Sequence, residues 1–76
     1  MNWIKCSDKM PEIGHDKEFP FTSKQLLLSD GEHVYWGEYE NEPDIWEGFI
    51  DNDGDSFGDI GIDITHWMLM PPPPKD

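Results

Sequence analysis

Carboxylates are the groups in this chain with the clearest chemical potential. Twelve of them (Asp30, Glu32, Glu38, Glu40, Glu42, Asp44, Glu47, Asp51, Asp53, Asp55, Asp59 and Asp63) fall in a stretch that holds neither Lys nor Arg. Side chains of that kind can bind a hard cation or hold a basic partner by charge. The run DNDGDSFGD sets Asp51, Asp53, Asp55 and Asp59 at positions 1, 3, 5 and 9 of an EF-hand-like calcium loop. The rest of that motif fails. Its sixth position is Ser56, where the sharp turn wants Gly, and its twelfth is Ile62, where a bidentate Glu is needed. The residue types favour a solvated acidic turn. A calcium-binding or calcium-stabilised module through residues 51–59 stands as the alternative.

The three histidines offer less. His66 beside Trp67, with His15 and His33 elsewhere, comes with one Cys, no HxxxH pair and no Ser or Cys in a nucleophile context. A structural imidazole, hydrogen-bonded at a strand end, is the expectation for His66. Asp63 and His66 are three apart, so on an extended strand they face opposite sides and form no dyad. With no metal set, nucleophile or phosphate loop, neither an enzyme nor a cofactor is expected.

Strands must position these groups. QLLLSDGEHVYWGEYE reads as a hairpin, with strands at 25–29 and 32–40 closed by a tight turn at Asp30-Gly31. NWIKC is a short opening strand, NEPD a turn and IWEGFI the next strand. IGIDITHWML supplies the last, with Ile60, Ile62 and Ile64 alternating against Gly61, Asp63 and Thr65 as one buried face requires. Residues 7–24 carry Pro11, Gly14 and Pro20 and read as an irregular segment, with room for a short helical turn, that covers one side of the sheet. The fold class expected is mainly β (or α+β): a small antiparallel sheet of four to five short strands forming a single domain over residues 1–76. Trp3, Trp36 and Trp67 are its expected core residues.

The charge of −12 is extreme for 76 residues. Residues 1–29 balance four Lys against Asp8, Glu12, Asp16 and Glu18, and Lys75 balances Asp76, so the excess lies between Asp30 and Asp63. Such a field repels nucleic acid and anionic membranes and attracts basic partners. The single Cys6 and the lack of a signal-like start fit a reducing cytoplasm, and no apolar run approaches the ~20 residues of a membrane span.

WIKCSDKMPEIG at one end and ITHWMLMPPPP at the other resemble the ends of short phage and prophage proteins of the domain of unknown function 551 family. Trp3, Ile4, Asp8, Pro11, Glu12 and Gly14 match the opening, and Thr65, His66, Trp67, Met68, Pro71, Pro73 and Pro74 match the close. Leu69 and Met70 depart from it, standing where the family has Pro-Leu, and the acidic 51–59 loop is not part of the pattern. The resemblance implies a phage-type origin and no catalytic residues. With the charge pattern, it leads to a non-enzymatic binding protein or inhibitor. Its expected binding residues are Glu38, Glu40, Glu42, Asp44, Glu47, Asp51, Asp53, Asp55 and Asp59, with Glu38, Glu40, Glu42 and Glu47 presented together on one face. The expected partner is a basic, nucleic-acid-binding host protein whose phosphate sites the carboxylates occupy. The final PPPPK run reads as the end of the ladder, lying over the Trp side chains, rather than as a polyproline ligand.

Overall fold

The computed structural model describes residues 2–71, 73 and 74. Five strands, β1 (Ile4–Lys5), β2 (Leu26–Ser29), β3 (Val34–Glu42), β4 (Trp46–Ile50) and β5 (His66–Leu69), form one sheet in the order β1-β5-β2-β3-β4. Every neighbouring pair is antiparallel. The fold is mainly β. Among the described residues no helix is long and apolar enough to cross a membrane.

The β2–β3 hairpin forms where the sequence places it, but its turn is wider than Asp30-Gly31 alone. The last pair is Ser29↔Val34, so residues 30–33 make the loop. Asp30 organises that loop: its Oδ1 accepts the N–H groups of Glu32 and His33, each at 2.8 Å. At the next turn β3 runs on to Glu42, and Pro43-Asp44-Ile45 leads into β4. The Ile45 N–H donates to Glu42 O at 3.0 Å, with Pro43 first in the turn and Asp44 second at φ 64°. That is the arrangement of a type II turn, and Asp tolerates its left-handed position better than most residues.

The predicted last strand is mostly not a strand. Residues 58–61 are turns, because the Phe57 carbonyl is captured by both Ile60 N–H (3.2 Å) and Ile62 N–H (2.9 Å), with Gly61 at φ 81°. Ile60 is therefore exposed, Ile62 is half-buried, and of the alternating isoleucines Ile64 alone is a core residue. Pairing resumes at Thr65, whose N–H donates to Ser29 O at 2.9 Å.

One face of the sheet is covered; the other is open at the start of β3, where Val34 and Trp36 are exposed, while Met68 of β5 is buried. Leu26, Leu28, Tyr39 and Trp67 from the sheet pack with Phe57 and Ile64 from the 51–65 segment. Met10 and Ile13 from the irregular 7–24 segment close over them, as expected of that segment. Its one helix-like turn has Asp8 N–H and Lys9 N–H both donating to Lys5 O. Trp67 is a core residue, 5% exposed, and its Nε1–H donates to Lys9 O at 2.7 Å. Trp3 and Trp36 are not core residues: they are 40% and 57% exposed. The cause is strand alternation, since Trp3 neighbours core-facing Ile4, and Trp36 lies between Tyr35 and the buried Gly37.

Gly37 lets the chain leave β4 and cross onto the covered face. A Cβ at Gly37 would stand 2.1 Å from the backbone oxygen of Ile50, a space no side chain could share. At the far end, Met70 N–H still donates to Gln25 O, and the prolines then end the ladder. Pro71, Pro73 and Pro74 are exposed, and the indole N–H of the buried Trp67 is bonded to the Lys9 segment. Pro72 and Lys75 of the proline run lie outside the described residues.

Candidate functional site

Strand β3 sorts its side chains by parity. Tyr35, Gly37, Tyr39 and Asn41 take one face; Val34, Trp36, Glu38, Glu40 and Glu42 take the other. The three glutamates thus form a column on the uncovered face, successive carboxylates about 7 Å apart along the strand. Across the ladder they face Ile50, Gly48 and Trp46, none of which carries charge. Among the described residues the ion pairs are Lys9–Glu12 at 3.8 Å and His33–Asp30 at 3.5 Å, and neither reaches the column.

A bulge shapes its middle. The pairs Thr22↔Glu40 and Leu26↔Gly37 enclose residues 23–25 on one side and only 38–39 on the other. Ser23, buried in that bulge, accepts the Tyr39 N–H on its Oγ at 2.9 Å and donates to Lys24 O at 2.8 Å. Thr22 Oγ1 is then within 3.4 Å of Glu40 Oε2, a single hydroxyl donor to the column.

Glu47 does not join this face. Paired with Asn41, it points to the covered side, where it accepts the Tyr39 hydroxyl proton. Burial and that bond to Glu47 push the Tyr39 pKa up to about 12. Asp44 occupies the β3–β4 turn. Asp51 is committed to its own loop, with Oδ1 accepting Asp53 N–H at 2.9 Å and Asp55 N–H at 3.0 Å. Asp53, Asp55 and Asp59 are exposed on the same loop. Among the described residues no group of three or more His, Cys, Asp or Glu converges to hold a metal ion, so the calcium alternative is not supported. The nine predicted site residues therefore fall into a column of three, an exposed Glu47 on the opposite side of the sheet, a turn Asp and a loop cluster.

The imidazoles are occupied locally. His15 Nδ1 lies 3.2 Å from Thr22 O, and His66 Nδ1 lies 2.8 Å from Thr65 Oγ1. Asp63 precedes β5 and is exposed. Burial, then the nearby Asp63 charge, pushes the Cys6 thiol up from its ordinary value and away from the reactive thiolate.

What the charge pattern alone misses is the apolar part of this face. The ladder sets Leu27 beside Trp36 on one side and Met68 on the other, and Val34 lies two residues from Trp36. The signal was present in VYWGEYE, where period two puts Trp36 on the same face as Glu38.

A family model described as a protein of unknown function, DUF551, matches residues 2–75. The chain belongs to this family. It is also 33% identical over 75 residues to the Eaa protein of Salmonella phage P22, covering 95% of this chain and 19% of that protein. The chain thus spans about a fifth of the length of the curated relative it matches. No solved structure matches it. The DUF551-like residues at the two ends meet in the fold. Ile4 pairs with Trp67, Trp67 bonds to Lys9 O, and Pro11 is buried nearby in sequence. Several of the family-like positions thus build the β1–β5 side of the sheet, away from the acidic column.

Proposed function

We propose that this DUF551 protein is a non-enzymatic binding protein of phage type. In this reading it works in the host cytoplasm and presents the Glu38, Glu40 and Glu42 column to a basic, nucleic-acid-binding host protein. The observation that carries the proposal is the column itself: three carboxylates on one uncovered strand face, with uncharged residues opposite them on β4. Self-repulsion among them weakens the fold, and a basic partner would relieve it. Carboxylates spaced along a strand can occupy sites built for phosphates. Binding is favoured over catalysis because the carboxylates stand side by side while each imidazole is engaged elsewhere.

The test is capture of host proteins from nuclease-treated lysate, eluted with a salt gradient and with DNA as competitor. A basic nucleic-acid-binding protein should elute at moderate salt, be displaced by DNA, and fail to bind the Glu38→Gln/Glu40→Gln/Glu42→Gln variant. A partner held equally by that variant, or unaffected by salt, would refute the reading.

A further inference from the structure

Trp36 and Val34 are 57% and 63% exposed, yet they belong to the strand that also carries the acidic column. The register sets Trp36 in one row with Leu27, which is half-buried, and Met68, which is buried. Neighbouring positions in that row are about 4.8 Å apart. The face is therefore bipartite at β3: Val34 and Trp36 stand exposed at the start of the strand, backed by half-buried Leu27, and three carboxylates continue from them along β3. We propose that this face is a docking surface for a basic amphipathic helix of a partner protein. Its apolar stripe would lie on Trp36, and its Lys or Arg flank would lie along Glu38, Glu40 and Glu42. This inference rests on the acidic-surface reading above and adds the form of the partner.

Shape and charge together select that occupant. Sheet faces in layered folds are closed by elements with one apolar stripe, and a helix provides such a stripe with a polar flank on the same element. The column demands positive charge on one flank only, because the row through Trp36 holds no carboxylate. A second copy of this chain meets the opposite condition, since each copy has a charge of −12 and carries the same glutamates on this face. The chain's own described tail does not fill the role either, because Val34 and Trp36 remain 63% and 57% exposed. An exposed Trp beside a charged column is also the composition of an interface anchor.

Two probes separate the apolar contribution from charge: a helical amphipathic Leu/Lys peptide and an oligolysine of equal charge, titrated by fluorescence anisotropy. The Leu/Lys helix should bind about ten-fold tighter than oligolysine or better. Trp36→Gln should erase that margin while leaving oligolysine binding unchanged. Val34→Gln, at the neighbouring exposed position, carries the same test if Trp36→Gln loses its cooperative melt. Equal affinity for the two peptides, or a margin that survives both substitutions, overturns the docking helix while leaving the acidic surface standing. If neither peptide binds, both readings fall. A dimer in sedimentation that Trp36→Gln dissolves would assign the face to a second copy and overturn the proposal.

Discussion

Two tryptophans thirty-one positions apart in the chain have opposite fates. Trp67 is packed into the core and hydrogen-bonded to Lys9 O, so Trp67→Ala should cost about 3–5 kcal/mol and abolish a cooperative melt in so small a domain. Trp36 is exposed, and Trp36→Ala should stay within about 0.5 kcal/mol of wild type in the same measurement. Trp36 was expected in the core because large aromatics usually are buried, yet its parity with Glu38 pointed outward. Composition and period disagreed, and period won. Asp30 gives a second residue-level test. Its bonds from Glu32 N–H, then His33 N–H, lower its pKa from 3.8 to about 2. A depressed carboxylate stabilises the folded state above its unfolded pKa, and that contribution fades as pH falls from about 4 towards about 2. Asp30→Ala should flatten this part of an acid-unfolding curve monitored by circular dichroism. A curve of unchanged slope would show that the loop does not depend on the carboxylate.

At the scale of elements, the β3–β4 hairpin and its exit depend on Gly37. Gly37→Ala would force a methyl group against the Ile50 backbone, which cannot swing aside as a side chain can. A loss of about 1–3 kcal/mol in chemical denaturation is expected, well beyond an ordinary Gly→Ala change in a strand. The hairpins were legible because β-branched and aromatic runs separated by turn residues carry their own instructions. The segment at 60–64 misled for a comparable reason: three isoleucines alternate as a strand would, but the preceding Phe57 carbonyl claims two of the local N–H groups. Alternation of apolar residues does not reveal that a carbonyl three and five residues back will take those N–H groups. The placement of Glu47 was hidden in the same way. Its face follows from pairing with Asn41, a register that charge counting does not contain.

For the molecule as a whole, charge and topology act together. With −12 to accommodate and few ion pairs among the described residues, stability should rise with added NaCl as screening shortens to ~10 Å at 0.1 M. Thermal melts across a salt series check this, and a flat or falling midpoint would mean that the acids are already well separated. The strand order β1-β5-β2 has a different consequence, which concerns synthesis. Of these five strands the last to be translated sits between the first two, so Leu26 and Leu28 lack their neighbour on one edge until His66–Leu69 has emerged from the ribosome. A nascent chain can form the β2–β3–β4 meander early, but the core must wait for its keystone. Pairing between distant ends raises contact order, which places folding on the order of milliseconds to seconds rather than microseconds. During that wait the unpaired β2 edge is open to pairing with another chain.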